Sequence, residues 1–111
     1  MPKRLHYRVP EVSFWKSDVV SESFIRVQLK LARNTHNDTD KDLANLDADI
    51  LAVQQEIRAK WASANVQVMR GFEQRLRQIK IERRYLFFIR KRLENAIDAM
   101  LGIGDHRGWK L

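Results

Sequence analysis

The sequence predicts an all-α protein: an extended N-terminal arm, a short helix, then one long amphipathic helix or a long helical hairpin, coiled-coil-like in character. Three observations point there. Among 111 residues there are only 4 Gly and 2 Pro, too few for a turn-rich β fold. From Leu43 onward the apolar residues keep helical phase: Leu43, Leu46, Ile50, Val53, Ile57, Trp61, Ala64, Val68, Phe72, Ile79, Leu86, Leu93, Ile97 and Met100. At 100° per residue they stay within a band of roughly 100°. Finally, Gly102 followed by Ile103 has the form of a helix stop, a left-handed cap residue and then an apolar one.

Residues 1–16 read as the arm. Pro2 and Pro10 disfavour helix at and just before themselves, while Tyr7, Val9, Val12, Phe14 and Trp15 are too apolar for a free tail, so the arm is expected to lie on a surface. Residues 17–34 are expected to form the short helix, with a strand as the alternative. Ile25, Val27, Leu29 and Leu31 alternate as a strand would. Val20, Phe24, Val27 and Leu31 are instead spaced for a helix, and Gln28–Arg33 are good helix formers. The polar stretch Asn34–Asp38 reads as a turn, assigned to residues 35–39, with Thr39 or Asp40 capping the next helix.

The long helix is then expected over residues 40–101. A break into a hairpin has its only turn chemistry at Ser63–Asn65 and Gly71, within 63–71. The unbroken phase favours a single helix of about 93 Å. A helix over 18–33 would be about 24 Å long, leaving much of the stripe bare. Exposed apolar surface costs about 25 cal/mol per Å², and soluble monomers seldom leave such a stripe open. The stripe is therefore expected to pack on a partner through Leu43, Ile50, Ile57, Trp61, Val68, Phe72, Ile79, Leu86, Leu93 and Ile97. A second stripe, Ile81, Tyr85 and Phe88, makes the helix apolar on several sides around Glu82–Leu93, as in a segment wedged among neighbours.

Charge is distributed unevenly. The chain carries +7 overall: residues 1–34 have 7 basic and 3 acidic side chains, 35–66 have 3 and 6, and 67–111 have 11 and 5. Arg70, Arg77, Arg84 and Lys91 recur every seventh residue with Lys80 beside them. On a helix they form a ridge with steps of about 10.5 Å, able to touch successive phosphates without reading bases. Lys3, Arg4 and Arg8 at one end, and Arg107 and Lys110 in the tail 102–111, add cations at both extremities. A solvated helix face would carry the same pattern.

Enzyme and ligand chemistry find no support. Asp38, Asp40 and Asp42 start like a calcium loop, with Asp49 at its twelfth position, but Leu43 stands where the loop needs Gly. His6, His36 and His106 lack metal-ligand spacing, and there is no Cys. Gly102-Ile103-Gly104 lacks the third glycine and preceding strand of a dinucleotide motif. No catalytic residue, metal or cofactor is expected. No apolar run is long enough to span a membrane.

These features predict a non-enzymatic structural subunit of a large assembly, first of the ribosomal ribonucleoprotein type, contacting RNA phosphates and neighbouring protein subunits. In type, the chain resembles small accessory ribosomal proteins, mitochondrial ones included. The start, residues 1–10, is basic and acid-free, but Glu11, Asp18 and Glu22 come early for a mitochondrial presequence; an uncleaved organellar address stays open, and the expected compartment is the mitochondrial matrix, with the cytoplasm as the alternative. The competing expectation is a coiled-coil adaptor, stalk or bundle subunit that binds protein only. The acids Asp42, Asp47, Asp49 and Glu56 favour it, since phosphate would repel them. The acidic and basic halves could then pair antiparallel in a homodimer.

Overall fold

The computed structural model describes residues 7–12, 20–63 and 65–111. Among these there are two helices, α1 (Glu22–Lys60) and α2 (Val66–Arg107), and no strand. The hairpin alternative is therefore the one the chain adopts, and the single helix over 40–101 is corrected. The outer parts of the arm, with Lys3, Arg4, Phe14 and Trp15, lie outside the described residues.

α1 begins where local chemistry permits. Ser21 accepts the Phe24 amide on its Oγ at 3.2 Å, and Glu22 places an acid in the first turn, both favourable at a helix N-terminus. Residues 22–33 are helical, as preferred over a strand: Ile25, Leu29 and Ala32 are buried while Val27 and Leu31 are exposed, a period near 3.6. The expected turn at 35–39 is not there; α1 runs through it. Its polar residues bond within the helix instead. Thr35 Oγ1 donates to the Leu31 carbonyl at 2.9 Å and Thr39 Oγ1 to the His36 carbonyl at 2.6 Å. Thr39 is fully buried and caps nothing. Packing has overridden weak local propensity.

The chain reverses between the end of α1 at Lys60 and the start of α2 at Val66. The Ser63 amide donates to the Lys60 carbonyl, and Asn65 Oδ1 accepts the Val68 amide at 2.9 Å, so Asn65 is the N-cap of α2. Gly71 is an ordinary helical residue. At the other end the expected stop at Gly102 is corrected: α2 continues to Arg107. Gly108 takes the left-handed conformation with φ +74°. Its amide donates to the Asp105 carbonyl, and the Trp109 amide to the Gly104 carbonyl at 2.8 Å, the paired bonds of a Schellman motif. Gly102 has open space where a Cβ would point. Gly102→Ala should therefore stabilise the protein by about 0.5–1 kcal/mol. Gly108→Ala should destabilise it by about 1 kcal/mol or more. Urea unfolding checks both, and a destabilising Gly102→Ala would restore the earlier stop.

The chain forms two compact units, Met1–Thr39 with Phe88–Leu111, and Asp40–Phe87. In the first, Val12, Ile25, Leu29, Ala32, Ile89, Leu93, Ala96 and Met100 form one buried cluster, with Tyr7, Val9, Trp109 and Leu111 packed against it. The described part of the arm thus lies on its own chain. The tail is tied down as well. Arg107 donates to the Val20 carbonyl, and Arg26 to the Lys110 carbonyl at 2.6 Å. His36, Arg90 and Glu94 form a polar group, with His36 Nε2 3.2 Å from Glu94 Oε1 and Arg90 Nε 3.5 Å from the same oxygen. The hydrogen bond from His36 has the largest effect and holds the Glu94 carboxyl below its ordinary range; burial opposes it, and the nearby Arg90 and Lys91 add to the lowering.

In the second unit Leu43, Val53, Phe72 and Leu86 are buried, and Leu46, Ile50, Ile57 and Ile79 are half-buried. The two helix segments are antiparallel, fixed by Arg83–Asp47 at 2.8 Å and Arg75–Glu56 at 3.2 Å. The Lys60 ammonium stands 6.0 Å from the centre of the Phe72 ring. Within this unit, part of the stripe expected to meet a partner is buried inside the chain.

A candidate nucleic-acid interface on α2

Helix geometry separates the cations of α2 into two populations. Taking Arg77 as reference at 100° per residue, Phe72, Ile79 and Leu86 lie near 180–220°, and Arg75 and Arg83 at about 160° and 240°. The latter two flank the buried seam, which is why each reaches an acid of α1. Arg70, Arg77, Lys80 and Arg84 lie within about 60° of the reference meridian, on the outer side. All four are exposed, and among the described residues none has an acidic partner. Glu73 shares this face without pairing to them.

The acids set against the ridge, Asp42, Asp47, Asp49 and Glu56, lie on α1 and not on the helix that carries it. Asp47 and Glu56 sit on α1, across the seam, and are bonded by Arg83 and Arg75. The antiparallel pairing of acidic and basic halves takes place within one chain. Ten basic and five acidic residues lie in α2, against six and seven in α1, so the excess charge belongs to α2.

The other expected contacts fare differently. Lys91 is exposed on α2 in the first unit, and Arg8 is exposed beside a shallow groove floored by Gln28, Leu31, Ala32 and Thr35. Arg107 is half-buried and occupied: besides the Val20 carbonyl it stacks on Trp109, 4.9 Å from the ring centre. Lys110 is exposed, though its backbone carbonyl is used by Arg26. Residues 102–107 are helical and not an extended tail.

Of the expected interface residues, Leu43, Phe72, Leu86 and Leu93 are buried within the chain, and Ile50, Ile57, Ile79 and Ile97 are half-buried. Trp61 and Val68, on either side of the turn, stay exposed, as do Ile81 and Tyr85 in the second unit and Phe88 in the first. Sequence reasoning did not single out Arg75 and Arg83 as structural. Their spacing from the seam, one on each flank, was the available signal. Among the described residues no group of three His, Asp or Glu side chains could hold a metal ion, and no helix is long and apolar enough to cross a membrane. Compared with known protein families, curated proteins and solved structures, the chain matches none.

Proposed function

We propose that this protein is a non-enzymatic structural subunit of a larger ribonucleoprotein assembly, of ribosomal type, which lays the outer face of α2 against RNA phosphates. One observation carries the reading. In the second unit the guanidinium groups that face α1 are neutralised by acids, while Arg70, Arg77, Lys80 and Arg84 on the outer face are left without any. Four cations share this helix face with a single acid, Glu73, and their excess repels; a polyanion relieves that repulsion and releases counterions as it binds. The assembly is placed in the mitochondrial matrix, with the cytoplasm as the alternative, on the basic stretch 1–10 alone; Glu11, Asp18 and Glu22 follow early for a presequence.

The competing reading, an adaptor that binds protein only, is favoured by Trp61, which is 72% exposed at the hairpin turn. The test is the double substitution Arg77→Glu with Arg84→Glu. Loss of two phosphate contacts should weaken RNA binding about 10- to 30-fold near physiological salt and reduce the salt slope by about 1.4–1.8. Helix content by circular dichroism should not change, because both side chains are exposed and unpaired. Unchanged RNA affinity and slope would leave the ridge a solvated face and put the adaptor reading ahead.

A further inference from the structure

We infer that the RNA recognised by this face is unpaired, with a base seated on Tyr85 and Ile81 beside the line of phosphates; this rests on the ridge being a phosphate contact. The outer face of α2 is not purely cationic. Ile81 is 60% exposed and Tyr85 38% exposed, apolar surface left open beside the cations at a cost, as it also is at Val66, Val68, Phe87 and Phe88 of the same helix. They are one helical turn apart. Both lie to one side of the ridge, about 40° and 80° round from Arg77, while Lys80 lies about 60° to the other side. A strand whose phosphates follow Arg77 and Arg84 and whose bases turn to that side meets the apolar pair; on the other side, at about 80°, stands Phe87.

The ring of Tyr85 is also available. It has neither a hydrogen bond nor a ring contact among the described residues. The nearby exposed ring, Phe87, is different: the Arg83 guanidinium covers it at 4.8 Å from its centre, so one of its faces is taken. A duplex keeps its base faces stacked inside and would present sugars, phosphates and base edges to Tyr85 and Ile81, but no open base face. An unpaired strand presents π-faces, which aromatic side chains bind with little regard to sequence. Cations for phosphate, one free aromatic ring and an aliphatic neighbour on the same flank are what a single-strand contact needs. An anionic membrane surface would instead favour apolar residues along the middle of the face with cations on both edges, whereas here the arginines hold the middle.

The test uses the full chain and fluorescence anisotropy with two labelled probes, an oligouridylate of about twelve nucleotides and an RNA duplex of equal length. The unaltered protein should bind the single strand more tightly. Tyr85→Ala should weaken single-strand binding about 5- to 150-fold, the range for losing one stacked base, and leave duplex binding unchanged. Tyr85→Phe should retain single-strand affinity, which separates stacking from any loss of fold. Equal or tighter duplex binding, or single-strand affinity unaffected by Tyr85→Ala while Arg77→Glu/Arg84→Glu weakens it, would overturn this inference and leave the phosphate reading standing. If the charge reversal changes neither probe, the phosphate reading fails and the inference falls with it. Tyr85-dependent binding to anionic phospholipid vesicles, with neither RNA probe bound, would also overturn it.

Discussion

Leu93→Ala should destabilise the protein by about 2–5 kcal/mol, lowering the thermal midpoint by roughly 8–20 °C. Leu93 has no exposed surface and belongs to the cluster with Ile25, Leu29 and Met100. Truncation removes its packing and leaves a void, because its neighbours come from two helices and the described part of the arm and cannot all close in. The N-terminal Val9 and Val12 and the C-terminal Trp109 rest on the same cluster, so they should loosen together. Trp109 emission should report this alongside far-ultraviolet circular dichroism. Ile81→Ala is the matched control. It removes an aliphatic side chain from the same helix but from an exposed position, and should change stability by less than about 0.5 kcal/mol. Equal effects from both would mean that the cluster around Leu93 is not the core of the first unit.

The helices were legible where residue type and period agreed. Ile25, Leu29 and Ala32 against Val27 and Leu31 is such a case: the alternation looks strand-like over four residues, but its buried members are spaced for a helix. Legibility failed where local chemistry and packing opposed each other. Asn34–Asp38 has turn composition, yet His36 reaches Glu94 and Thr39 has a buried place to fill, neither of which short-range reasoning can see. Gly102 and Gly108 illustrate the same limit. Both can stop a helix, and the last residues of the chain decide between them, since Trp109 and Leu111 fold back over Gly104 only from the later stop.

The site was legible in its charges and not in their division of labour. Arg70, Arg77, Lys80 and Arg84 were visible as a ridge from spacing alone. That Arg75 and Arg83 are structural depends on α1 lying against α2, and the continuous apolar phase concealed this. The phase runs through Trp61 and Val68 as if they belonged to the seam. In the folded chain both are exposed, for they stand next to the reversal, where α1 and α2 no longer have a partner surface to offer. Phase continuity across a short turn is no evidence for a continuous helix. The better evidence was electrostatic. Residues 35–66 have a net negative charge and 67–111 a strong positive one, the pattern of two segments that face each other.

Phe72→Ala distinguishes the hairpin from an uninterrupted helix by the sign of its effect. Phe72 is buried in the second unit, on the seam face of α2, with the Lys60 ammonium close to its ring. In the hairpin its truncation should cost about 3–5 kcal/mol, of which the exposed cation contact supplies only about 0.5–1. In an uninterrupted monomeric helix the ring would have no α1 segment to pack on, and Ala, the better helix former, would be neutral or stabilising by a few tenths of a kcal/mol. A dimer that covered Phe72 intermolecularly would also lose stability on truncation, but its unfolding midpoint would rise with protein concentration. Urea unfolding at two concentrations about a hundredfold apart therefore suffices. The hairpin requires a large loss and a midpoint independent of concentration for both proteins. A gain in stability, or a midpoint that moves with concentration, would show that Asp47–Arg83 and Glu56–Arg75 do not close within one chain, and that the outer face of α2 is not the surface the chain leaves free.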